Sequence, residues 1–167
     1  MGRATRVCNP SGSFYEEFQT REDVLIAVYD RIQDEAAAAI MAALEQLDPR
    51  FDITAAMTAV LAAYLQSVGS DPYRAKVAFI EVVGVSERME RHRRERRHSW
   101  GTVLESLVVP AVTAGGRVRG GPGLSTSALI GAINGLAHEW LLADPRPPVE
   151  ALVEVLVPVA VALIETP

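Results

Sequence analysis

The sequence predicts an all-α protein, and three observations carry that prediction. Apolar residues recur three or four apart along most of the 167 residues, the period of a helix with one buried face. No stretch alternates apolar and polar residues between turn signals, as a half-buried strand does. Side chains that start helices precede the periodic runs at Thr20, Asp52, Asp71 and Ser86.

The elements follow in order. Ser11 to Phe18 forms a short segment, broken at Gln19-Thr20. Thr20 can cap the next helix, with Asp23 three residues on as a partial capping box. That helix runs to about Leu47 with the stripe Leu25, Val28, Ile32, Ala36, Ala39, Ala43 and Leu47, and Asp48-Pro49 ends it. Asp52 caps a second helix with Ile53, Met57, Val60, Leu61, Tyr64 and Val68 on one face, stopping at Gly69. Asp71-Pro72 reads as an N-cap followed by an N1 proline. The helix behind it, through Val83, is apolar on most sides and therefore central. Ser86 starts a long helix, polar first and then apolar at Met89, Trp100, Val103, Leu104, Leu107 and Val108. Ala114 to Gly123 reads as a flexible glycine-rich loop. Ser125 or Thr126 caps a helix ending near Ala143, and the last helix runs from about Val149 to Ile164 with a kink at Pro158.

Composition narrows the class. Apolar residues make up 49% and charged residues 22%, enough for a real core. The net charge of −5 rules out a surface that attracts nucleic acid everywhere, so any DNA contact must be local. Cys8, the single cysteine, leaves no intrachain disulfide and no cysteine-rich metal site. The start MGRATRVCNPSGSF lacks an apolar signal core. The run Val155 to Ile164 is too short to span a bilayer. The expectation is a soluble cytoplasmic protein without membrane, metal or cofactor.

The last two helices point to self-association. Between Ala151 and Ile164 Glu154 is the only polar side chain, and a helix apolar all round must be covered all round. The preceding helix offers small residues, Ala128, Gly131, Ala132 and Gly135, for close approach. Two such helices from each of two chains make a four-helix interface of two-fold symmetry. The residues expected there are Leu129, Ala132, Ile133, Leu136, Trp140, Leu152, Leu156, Val159 and Leu163.

The segment SGSFYEEFQTREDVLIAVYDRI carries a resemblance. Gly12, Ser13, Phe14-Tyr15, Phe18, Arg21 and the acidic-apolar start Glu22 to Leu25 resemble the recognition helix and linker helix of the TetR family, the tetracycline-repressor-like regulators. The order of the later helices, and ALIGAINGLAHEWLL in particular, is similar to the ligand-binding and dimerisation part of that family. The resemblance implies a TetR-like helical bundle over 25–167 behind a partial helix-turn-helix over 1–24, with a recognition helix at about 11–18. It implies a ligand-responsive repressor, not an enzyme, that binds operator DNA as a homodimer and takes a small apolar effector. Ser11, Gly12 and Ser13 would face bases or backbone, and Tyr15 and Arg21 would hold phosphates. The lesser alternative for Tyr15 and Arg21 is that they are ordinary surface residues. The family sets two helices before the recognition helix, whereas ten residues stand before Ser11 here. The alternative is therefore a headless ligand-binding or heterodimerising protein that does not itself bind DNA.

Effector candidates by helix face are Tyr64, Phe79, Met89, Trp100, Asn134 and His138, each of which also fits an ordinary core position. Asn134 and His138, four apart, need polar partners from a ligand, a water or the dimer mate. The run SERMERHRRERRH mixes arginine with glutamate at helical spacing and lacks aromatic residues for base stacking, so it reads as a solvated helix face. No nucleophile elbow, paired-histidine zinc motif or phosphate loop appears.

Overall fold

A computed structural model describes residues 18–47, 52–113 and 116–165, apart from the side chains of 107–113 and 165. Six helices follow one another among them: α1 (Arg21–Glu45), α2 (Ile53–Gly69), α3 (Pro72–Lys76, continued by a π-helical turn over Val77–Glu81), α4 (Glu87–Thr113), α5 (Pro122–Leu142) and α6 (Val149–Ala162). Two short strands, β1 (Arg117–Val118) and β2 (Ile164–Glu165), pair antiparallel.

Local chemistry sets the helix starts. Thr20 accepts from the Asp23 N–H while the Asp23 carboxylate accepts from the Thr20 N–H, a complete capping box. Asp52 caps α2 through the Ala55 N–H at 2.7 Å, and Asp71 takes the Tyr73 and Arg74 N–H groups with Pro72 at the first helical position. Ser86 caps α4 through the Met89 N–H. Each such cap is worth about 1 kcal/mol. α5 begins earlier than the Ser125 or Thr126 cap predicts. Gly120 and Gly121 take positive φ, Pro122 fits the first turn, and Ser125 turns inward to donate to the Arg119 carbonyl. The glycine-rich loop also holds β1, so part of it is pinned to the end of the chain's last helix.

The core lies where α2 packs between α1 and α6, with α3, α4 and α5 closing the remaining sides. Ile32 and Ala36 of α1, Met57, Leu61, Leu65 and Val68 of α2, and Leu129, Trp140, Leu152 and Leu156 of α5 and α6 form one cluster. A smaller cluster joins Tyr29, Val82 and Met89. The buried stripe of α1 is Tyr29, Ile32, Gln33, Ala36 and Ile40. Val28, expected inside, is 41% exposed, because the larger Tyr29 takes the inward position against Val82 and Met89. The α2 stripe agrees with the sequence reading, with Ala56 and Leu65 added.

Between α2 and α5 the packing is close. A Cβ on Gly69 would lie 3.2 Å from the Trp140 ring, so the glycine makes room for the indole. The Trp140 N–H donates to the Pro147 carbonyl at 2.7 Å, and the Arg146 guanidinium lies 4.9 Å from the ring centroid. No single helix among the described residues is long and apolar enough to cross a membrane. The α2–α3 pair is apolar but bent by 106°, and its apolar side chains are part of the core.

Leu156, 1% exposed, sits at the centre of the α6 contact. Leu156→Ala should cost about 2–5 kcal/mol of unfolding free energy, read from the midpoint shift in urea denaturation. A loss under about 1 kcal/mol would mean that the α6 packing described here is not the native one.

Candidate functional site

Helix α4 does two jobs at once, on two neighbouring faces. The first face holds α1. Arg88, His92 and Arg96, spaced four apart, meet the acidic side of α1. Arg88 pairs with Asp23 at 2.7 Å, His92 Nε2 lies 2.7 Å from Asp30, and Arg96 reaches Asp30 and Asp34, each at 2.7 Å. Ser86 also donates to Glu22. Residue numbers rise together on both helices, so they run in the same sense along this seam. The arginine-rich run is thus only partly the solvated face that its composition suggests. Arg93 and Glu90 do form the expected pair one turn apart. Arg88, His92 and Arg96 are committed to α1, and a single sequence does not display that pairing of distant residues.

The second face of α4, Arg93, Arg97, Trp100 and Leu104, lines a cavity of about 60 Å³. The other walls come from Tyr29, Gln33 and Ile40 of α1, Met57, Val60, Leu61 and Tyr64 of α2, Ala78, and Leu129, Ile130, Ile133 and Asn134 of α5. The space holds a few water molecules or a small apolar fragment. Most of the wall is apolar, with polar groups gathered at few points, the usual make-up of a small-molecule site.

Gln33 links the two faces. It is buried, and its Oε1 accepts from the Trp100 indole N–H at 3.0 Å. Tyr64 stands beside it, and its ring meets Trp100 edge-on at a centroid distance of 5.7 Å. Burial pushes the Tyr64 phenol above its usual range, and Gln33 offsets this in part. Tyr29 is raised for the same reason, opposed by nearby arginines. Both phenols therefore stay neutral hydrogen-bonding groups near neutral pH. The Arg93 Nε is buried with no hydrogen-bond partner.

Of the sequence candidates, Tyr64, Trp100 and Asn134 meet at this cavity. Phe79 packs behind Tyr64 in the core, 6.4 Å between ring centroids. Met89 is fully buried in the Tyr29–Val82 cluster, outside the cavity. His138 is exposed, although it lies one turn beyond the half-buried Asn134 on nearly the same face of α5. Sequence reasoning missed Gln33, Arg93 and Arg97. The one available signal was a glutamine inside an apolar stripe of α1.

The expected interface residues divide differently. Leu129, Trp140, Leu152 and Leu156 are buried in the core of the single chain, while Ala132, Ile133, Leu136 and Leu163 are half-buried against it. Val159 is exposed. The outward faces of the last two helices are Leu124, Ala128, Gly131, Gly135, His138 and Leu142 on α5, and Val155 and Val159 on α6. Arg21 is exposed at the start of α1. Cys8, Ser11, Gly12, Ser13, Tyr15 and the Asp48-Pro49 break lie outside the described residues. Among the described residues no group of three His, Cys, Asp or Glu is placed to hold a metal ion.

Comparison with known proteins gives this helical bundle a family. Residues 53–164 match the family model described as BetI-type transcriptional repressor, C-terminal, and the chain belongs to that family. It superposes on a bacterial regulatory protein of the tetR family from Rhodococcus RHA1 with a TM-score of 0.70 and 18% identity, over 95% of this chain and 81% of that one. It also superposes on the fatty acid degradation regulator FadR from Bacillus halodurans with a TM-score of 0.71 and 17% identity, over 89% and 79% of the two chains. At such identities the likeness shows the fold alone. No curated protein sequence matches the chain significantly.

The seam between α1 and α4 has a definite acid response. The Arg88 guanidinium, with help from the Thr20 cap, holds the Asp23 carboxyl below its ordinary value of 3.8. A carboxylate whose pKa is lowered by folding stabilises the fold above its unfolded value and loses that contribution as pH falls through the folded one. Stability should therefore drop as pH falls below about 4, and Asp23→Asn should flatten part of that drop. Unfolding midpoints across the acid range check this; an unchanged acid slope in the variant would show that Arg88 does not hold Asp23 in solution.

Proposed function

We propose that this chain is a ligand-responsive transcriptional repressor that works as a homodimer. The supporting observation is the double use of α4, since a molecule entering the cavity must press on the same helix that grips α1. In the family plan α1 is the helix that leads to the DNA-reading segment. Ser11, Gly12, Ser13 and Tyr15 are the proposed operator contacts, with Arg21 at the end of the linker as a phosphate contact.

Signal passes by a lever. Ligand between α2 and α5 displaces Trp100 and Arg97, and α4 rolls. The Gln33–Trp100 hydrogen bond and the Arg96–Asp30 and Arg96–Asp34 pairs transmit that roll to α1. Each exposed ion pair is worth only about 0–1 kcal/mol, so the seam can shift without unfolding the body. The polar wall of the cavity is Tyr64, Gln33 and Asn134, and the apolar wall fixes size.

Dimerisation uses the outward stripes of α5 and α6. Val155 and Leu142 are 54% and 65% exposed, and a Cβ built on Gly131 or Gly135 meets nothing within 4 Å. Contiguous apolar surface of this kind is stable in water when a partner covers it.

Sedimentation at micromolar concentration should give a dimer, and Val155→Asp should shift it to monomer with little loss of monomer stability. A monomeric wild-type chain would sink the dimer reading. Operator release is the second check. In gel shifts on DNA adjoining its own gene, Arg96→Ala should leave the repressor able to bind DNA but blunt its release by effector several-fold. If the variant releases DNA like the wild type, α4 does not act through this seam.

A further inference from the structure

The cavity has a charge character that its size and apolar walls do not suggest. Two guanidinium groups line it, those of Arg93 and Arg97, and no carboxylate does. Glu90 engages Arg93 from outside the cavity, through Nη1, at 2.8 and 3.0 Å. The Arg93 Nε, on the other edge of the same group, is buried and unpartnered. Arg97 is half-buried and makes no ion pair among the described residues. It borders both the cavity and an open groove between α4 and α5, where Arg94, His98, Thr102 and Ser127 stand with two carboxylates, Glu95 and Glu105, that do not line the cavity itself.

The cationic groups gather at one end. Gly101 of α4 meets Thr126 of α5, and Arg97 and Ile130 border the same groove. The two helices therefore run antiparallel, and one further turn sets Asn134 at the level of Arg93. Arg93, Arg97 and Asn134 thus share a polar end beside the groove. Trp100 and Leu104 carry the α4 wall onward to Met57, Leu61 and Leu129.

We infer that the effector is a small amphiphilic monoanion, a carboxylate on a short apolar chain or ring. Its head would lie against Arg97, the Arg93 Nε and the Asn134 amide, and its tail among Met57, Leu61, Leu104, Leu129 and Ile133. The inference rests on the reading of the cavity as the effector site, and it replaces a purely apolar effector with a charged one. The physical reason is desolvation. A buried guanidinium edge without a partner is unfavourable, and an incoming carboxylate satisfies it with a charge-assisted hydrogen bond, roughly twice as strong as a neutral one. The three aromatic rings of Tyr29, Tyr64 and Trp100 would suit a quaternary ammonium by cation–π attraction. Two guanidinium groups with no lining carboxylate oppose that occupant.

The test compares three probes of matched tail by isothermal titration of the full chain: hexanoate, hexanol and hexyltrimethylammonium. Hexanoate should bind at least about tenfold more tightly than hexanol, and the quaternary ammonium most weakly. Arg97→Gln should bring hexanoate to within a few-fold of hexanol without changing hexanol binding, and Arg97→Lys should keep part of the preference. Equal binding of hexanoate and hexanol, or tighter binding of the ammonium, would overturn the anionic assignment while leaving the cavity as a ligand site. If none of the three binds, the effector-site reading fails and this inference with it.

Discussion

The arrangement depends on the grip of α4 on α1. That grip is electrostatic at its edge and hydrogen-bonded at its centre. At the edge Arg88, His92 and Arg96 answer Asp23, Asp30 and Asp34. At the centre the Trp100 indole reaches the buried Gln33 amide. The exposed pairs keep the helices in register at little energetic cost to either charge, since both remain partly hydrated. The inner bond is different, because the buried Gln33 amide that loses it must find another partner from the cavity.

That division sets a polar contact beside an apolar one. The α2–α6 contact is apolar and close-packed around Leu65, Leu152 and Leu156, so it resists continuous deformation. The α1–α4 seam is polar and partly hydrated. The cavity lies between the two regions. The π-helical turn at Val77–Glu81 lies alongside, with Ala78 and Phe79 both buried.

The last two helices show how a sequence can indicate association without naming its residues. A helical run such as Ala151 to Ile164, with Glu154 its one polar side chain, must be covered, and that much follows from composition. Which side faces the chain's own core follows from the crossing of α6 over α2. Leu129, Ala137, Trp140, Leu152, Leu156 and Ala160 face that core. Gly131, Gly135, Leu124, Leu142, Val155 and Val159 do not, so side-chain size alone does not sort the two faces.

The sequence by itself determined, through local chemistry, the helices and most of their starts, α5 being the exception because Gly120, Gly121 and Pro122 start it before Ser125. Thr20, Asp52, Asp71 and Ser86 cap helices through bonds to residues two or three positions away, and such bonds need no tertiary partner. It also placed Tyr64, Trp100 and Asn134 as aromatic or polar members of apolar faces, which the fold brings to one cavity. It did not place Gln33, Arg93 and Arg97, because their surroundings come from helices far away in the chain. Nor did it show that Tyr29 would displace Val28 from the core, or that Arg96 would leave solvent for Asp30 and Asp34. Helix period tells which residues share a face. Only packing decides which face turns inward, because that depends on the volumes and charges offered by neighbours distant in sequence.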